Sequence, residues 1–115
     1  VNAATSGNGK FFLGTDTAPH LIDTKENACG CAGVFNSTYC ISILAEIFDN
    51  KNSIDKLEKF TSLNGAKHYN IPVNSEKIKL VKLNKPVLFR KSLEFKGDKI
   101  VIFEPDFPVF WETCC

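Results

Sequence analysis

The residues best suited to chemistry lie in the first third of the chain. Lys10-Phe11-Phe12-Leu13 is an apolar run leading into Gly14-Thr15-Asp16, so a carboxylate follows what reads as a buried strand. In α/β folds the carboxyl ends of strands are where catalytic groups collect. A carboxylate there can ligate a metal through a hard oxygen, and it can carry a proton from activated water to a leaving group. The plainer alternative is that Asp16 closes an Asx turn or caps the next segment. Four residues on, Pro19 fixes the backbone ahead of His20. That imidazole could hold a substrate carboxylate, ligate a metal, or sit on a surface loop. His68, beside Tyr69, reads as packing.

Cys29-Gly30-Cys31-Ala32-Gly33 invites a zinc reading, but a structural zinc site wants four ligands. One Cys-x-Cys with Cys40 distant and Cys114-Cys115 adjacent supplies too few in a recognisable spacing. The glycines point instead to backbone passing close to something, leaving N–H or C=O groups free to face a ligand. Phosphate-binding loops, dinucleotide fingerprints, zinc-protease helices and nucleophile elbows are absent from the sequence.

The elements that must position these groups follow from periodicity and punctuation. The apolar run predicts a strand over 10–14, and the aperiodic stretch 15–36, with Pro19, Gly30 and Gly33, predicts a long loop. Loops of that length inside a domain are usually functional. Ser37 or Thr38 can cap a helix whose face is Tyr39, Ile43, Leu44, Ile47 and Phe48. Ser53 can cap a second, with Ile54, Leu57, Phe60 and Leu63 inward and Asn64-Gly65 as a left-handed stop, followed by a helical turn through Tyr69. After the break at Ile71-Pro72, strands are predicted over 78–83, with lysines to solvent, and over 87–95 and 99–103 around Lys96-Gly97-Asp98. The tail, with Pro105 and Pro108, reads as irregular up to Trp111.

Composition sets the outer bounds. With 43% hydrophobic and 23% charged residues, seven Gly and five Pro, the 115-residue chain is neither collagenous, low-complexity nor wholly disordered. A net charge of +1 gives no pull toward nucleic acid or an anionic membrane. The basic stretch 67–99 offers mainly Lys between aliphatics, the pattern of a solvated strand edge rather than a nucleic-acid surface. No apolar stretch approaches the ~18 residues of a membrane span, and no signal peptide is recognisable. Five clustered cysteines suit a reducing, cytoplasmic setting better than a disulfide framework.

The run from Lys10 to His20, followed by Cys29-Gly30-Cys31-Ala32-Gly33, Phe35-Asn36 and the segment from Leu57 to Asn74, resembles the C-terminal third of the short-chain, single-enzyme dihydroorotases. The resemblance extends loosely to Trp111 and so covers nearly the whole chain. It implies an α/β fold, the C-terminal part of a (β/α)₈ TIM barrel: last barrel strand, active-site loop and outer helices over 1–70, and a small β-rich C-terminal extension over 71–115. It also implies a zinc-dependent cyclic amidohydrolase that interconverts N-carbamoyl-L-aspartate and L-dihydroorotate in pyrimidine biosynthesis. In such an enzyme Asp16 would be both a zinc ligand and the catalytic proton shuttle, working between the bridging hydroxide and the ring nitrogen. His20 would hold the substrate carboxylate, and Ala32 would touch substrate through its backbone. The family's Pro-Phe-x-Ala-Gly-Glu before a Trp is replaced here by Ile102-Phe103-Glu104-Pro105-Asp106-Phe107 before Trp111, which alters the packing of the tail and no catalytic position.

The family's other metal ligands, its carbamylated lysine and its substrate-binding Arg and Asn have no counterparts in this sequence. With His20 and His68 as its two histidines, the chain cannot rebuild a binuclear zinc centre. The expectation is therefore a segment of a longer enzyme, unstable and inactive alone, whose partners are a small-molecule substrate, the rest of its own barrel and, as the family implies, a second subunit of a homodimer. The competing expectation is a free-standing small α+β interaction or metal-binding module.

Overall fold

The periodic apolar residues around position 44 build the helix on which the rest is assembled. A computed structural model describes residues 1–114, in the order α1 (Asn2–Thr5), α2 (Ile22–Lys25), α3 (Cys40–Asn50), a 3₁₀ turn (Ile54–Lys56), a π turn (Lys59–Leu63), α4 (Asn64–Tyr69), β1 (Lys79–Lys82), β2 (Ser92–Phe95), β3 (Asp98–Val101) and β4 (Trp111–Cys114). It is a small mixed α/β piece. Ala45, Phe48 and Leu57 form the centre of its core, with Ala4, Leu44, Ile54, Phe60, Leu80 and Trp111 packed around them. The serine expected to start α3 does other work: Ser37 Oγ donates to Thr17 Oγ1 at 3.0 Å, and the helix begins at Cys40 without a side-chain cap.

The predicted strand over 10–14 is not a strand. A strand needs backbone neighbours on its flanks, and among the described residues this segment finds only helix. Leu13 N–H donates to the Phe60 carbonyl at 3.0 Å, and Asn64 Nδ2 donates to the Phe11 carbonyl at 3.0 Å. Phe12 lies over Gly65 and against the rings of His68 and Tyr69, at centroid distances of 5.1 and 5.7 Å. Asn64-Gly65 is accordingly not the predicted helix stop. Its amide and its missing side chain receive the 11–12 strip, and the helical stretch 54–69 runs on to Asn70, whose left-handed φ of 53° and ψ of 47° end it.

The C-terminal region forms two separate antiparallel pairs. In one, Lys79 faces Cys114 and Lys82 faces Trp111, so the end of the tail is a strand rather than irregular. In the other, Ser92 faces Val101 and Phe95 faces Asp98 across Lys96 and Gly97, both with positive φ, a two-residue turn that matches strand twist. The strand predicted over 87–95 is thus confined to its last four residues. Cys29, Cys31, Cys40 and Cys114 are free thiols, and burial pushes the Cys40 thiol up from its ordinary value; Cys115 lies outside the described residues. No described helix is long and apolar enough to cross a membrane.

One polar cluster fastens α3 to the β1–β4 pair. The Lys82 ammonium and the Trp111 indole both donate to Asp49 Oδ2, the latter at 3.2 Å. First the Lys82 hydrogen bond and then that of Trp111 hold the Asp49 carboxyl below its ordinary 3.8, while Asp49 raises Lys82 above 10.5. A depressed acid stabilises the fold above its unfolded value and loses that contribution as pH falls through the folded one; the raised lysine loses its contribution only as pH climbs past 10.5. Urea unfolding should therefore show Asp49→Asn less stable than wild type at neutral pH and equal to it well below pH 3.8. A difference that persists unchanged into acid would remove the ion pair as its cause.

The chain exposes 8326 Å². A compact monomer of its mass should expose about 6,300 Å². Tyr69, Ile71, Ile78 and Leu88 are among the large apolar residues left in solvent.

Candidate active site

The loop 15–36 is folded on itself as two limbs. Ala18 N–H donates to the Val34 carbonyl at 2.9 Å, Asn36 N–H to Thr17 Oγ1 at 3.2 Å, and Asn36 Nδ2 to the Thr15 carbonyl at 3.0 Å. Two glycines let the limbs meet: a Cβ on Gly33, where φ is 87°, would lie 2.7 Å from Ala18 Cβ, and one on Gly30 would lie 2.6 Å from the Lys25 carbonyl oxygen. The close approach expected of these glycines is thus to the loop's own chain. Lys25, on α2, threads its ammonium between the limbs and donates to the carbonyls of Cys31, at 2.6 Å, and Gly33.

His20 Nε2 lies 2.9 Å from the Ala32 carbonyl oxygen, so two of the three expected site residues are in contact. A carbonyl only accepts, which assigns the proton to Nε2. Behind this pair lies a cavity of about 200 Å³ lined by His20, Lys25, Val34, Phe35 and the end of β3. A larger groove of about 750 Å³, between the helical stretch 54–69 and residues 71–80, contains none of Asp16, His20 and Ala32.

Asp16 is exposed, and its side chain makes no hydrogen bond among the described residues. Its φ of 44° is left-handed. For a residue other than glycine that conformation costs on the order of 1–3 kcal/mol and persists only where surroundings impose it, although Asp tolerates it better than most. With its lone pairs free, the carboxylate suits one position of a metal site. Among the described residues no three His, Cys, Asp or Glu side chains come together to complete one. The Cys-x-Cys pair likewise gathers no ligand set.

The loop rests on the C-terminal hairpin. Val101 N–H donates to the His20 carbonyl at 3.3 Å, Phe103 N–H to the Phe35 carbonyl at 2.9 Å, and Leu21 forms a bridge with Ile100. Neither this support nor the roles of Lys25, Thr17 and Asn36 were apparent from the sequence. Lys25 sits in a polar stretch without a spacing signal, whereas Asn36 follows the Cys-Gly-Cys-Ala-Gly run closely enough to have been suspected.

No family model matches the chain. Its sequence is 47% identical over 111 residues to the dihydroorotase of Agrobacterium fabrum and 46% identical over 111 residues to that of Chelativorans sp., covering 96% of this chain and 32% of each relative. The chain thus spans about a third of the length of these relatives. Among solved structures, that of Saccharomyces cerevisiae dihydroorotase in complex with 5-fluoroorotic acid superimposes with a TM-score of 0.85 at 30% identity, over 98% of this chain and 32% of the other. Campylobacter jejuni dihydroorotase superimposes with a TM-score of 0.79 at 29% identity, over 99% and 32%. Agreement in sequence and in fold across nearly every residue favours an enzyme segment over a free-standing module. The chain corresponds to the C-terminal third of a dihydroorotase.

Proposed function

We propose that this chain completes the barrel and the active site of a zinc-dependent dihydroorotase, a cyclic amidohydrolase interconverting N-carbamoyl-L-aspartate and L-dihydroorotate in the cytoplasm. Residues 1–70 would belong to the barrel and 71–115 to an extension that carries the loop. The extended strip 10–14 would become the last barrel strand once its neighbours are supplied. Its lack of a strand partner among the described residues and the roughly 2,000 Å² of surplus surface, an area typical of a substantial protein interface, support that reading. A homodimer of the complete enzyme belongs to the same proposal.

When bound, zinc supplies Lewis-acid activation of water. Of this chain's residues, Asp16 would hold it through one carboxylate oxygen, and the same carboxylate would take up a proton and return it at the ring nitrogen. His20 and Ala32 would exchange partners on binding. The substrate carboxylate would accept a hydrogen bond from His20 Nε2–H in place of the Ala32 carbonyl, and the released Ala32 carbonyl would accept from a ring N–H. The observation that carries this is the His20–Ala32 contact, which places one donor for a carboxylate beside one acceptor for an amide. The yeast enzyme's capture with 5-fluoroorotic acid, a ring bearing both groups, fits the same arrangement.

The test is reconstitution. Co-produced with the N-terminal two thirds of a dihydroorotase, the chain should restore zinc-dependent turnover that neither part shows alone, and His20→Ala should raise KM about tenfold or more with a smaller change in kcat. Turnover by the chain alone, or no turnover from a folded, zinc-loaded complex, would overturn the proposal.

A further inference from the structure

Resting on that reading, we infer that Asn36 is a positioning residue for Asp16. The left-handed backbone at Asp16 is bracketed on both sides by this one side chain and its own amide. Asn36 Nδ2 donates to the Thr15 carbonyl, the residue before Asp16, at 3.0 Å, and Asn36 N–H donates to the Thr17 hydroxyl, the residue after it, at 3.2 Å. Ser37 Oγ donates to the same hydroxyl at 3.0 Å. The first bond fixes the peptide before Asp16 and the other two hold the Thr17 side chain after it, and no other side chain among the described residues donates to the Thr15 carbonyl. The amide is held at a cost, because its Oδ1 is buried without a partner among the described residues, a pattern expected where geometry outweighs stability. Asn36 touches neither His20 nor Ala32 by hydrogen bond. Its influence is therefore on the direction in which the carboxylate leaves the loop, and not on substrate capture.

Two variants of the reconstituted enzyme test this. Asn36→Asp keeps shape and backbone but turns an oxygen toward the Thr15 carbonyl, and Asn36→Ala removes the contact. Each should lower kcat by about a hundredfold, the usual scale for a misplaced catalytic group. KM should stay within about twofold. The visible spectrum of the cobalt-substituted enzyme should shift from wild type toward that of Asp16→Ala. Thr17→Val should act in the same direction and add little to Asn36→Ala, since both release one restraint. Wild-type kcat and cobalt spectrum in folded Asn36 variants, a change confined to KM, or outright unfolding of both variants would each overturn the inference. If Asp16→Ala itself keeps full activity, the catalytic reading fails first; if Asp16→Ala is inactive and the Asn36 variants are normal, only the positioning role is lost.

Discussion

Asp16→Ala, made in the reconstituted enzyme, should lose on the order of a thousandfold or more in kcat, within the range attributed to a positioned acid–base group and with a metal ligand lost besides. The expectation follows from the exposed, unpaired carboxylate held on a left-handed backbone. Its side chain has no hydrogen-bond or ion-pair partner among the described residues, so its removal should leave folding nearly untouched, and circular dichroism and urea midpoint should stay close to wild type. Asp16→Asn separates the two functions: it keeps an oxygen for the metal and removes the basic site, so it should bind zinc better than Asp16→Ala while remaining as slow. Normal turnover in either folded variant would take Asp16 out of the mechanism.

Phe48→Ala should cost about 3–5 kcal/mol of stability. Phe48 is fully buried, stacks on Phe60 at 5.5 Å between centroids, and closes the core formed with Ala45 and Leu57. Whole domains retain only about 5–15 kcal/mol, and a core this small has few other contacts to compensate. The variant should lose most helical dichroism at 25 °C, and Phe48→Leu should lose much less. An unchanged urea midpoint would show that the core lies elsewhere.

How far the chain could be read in advance depended on how local each cause was. The spacing of Ile43, Leu44, Ile47 and Phe48 sufficed for α3, because a helix makes its own hydrogen bonds. The same spacing left Glu46 on the polar side, yet Glu46 is buried and its carboxylate accepts from Phe110 N–H at 2.8 Å, a partner no local pattern discloses. Residues 10–14 announced burial correctly enough for Phe12, but pairing depends on neighbours, and here a helix carbonyl took the place of a strand. β4 was missed for the converse reason: two prolines suggested irregularity, and its partner β1 lies far upstream. In the candidate site, residue type and position raised Asp16 and His20, and the family resemblance raised Ala32. The left-handed turn at Asp16 and its clasp by Asn36 were not legible, because both depend on a meeting of two limbs that share no periodicity.

The hairpin beneath the loop has a consequence for biosynthesis. Val101 and Phe103, which anchor His20 and Phe35, lie well downstream of the loop and are translated after it. At roughly 5–20 residues per second the delay is several seconds. During that interval the loop exists without the brace beneath His20 and Phe35, so maturation of this pocket waits on synthesis of the hairpin rather than on emergence of its own residues.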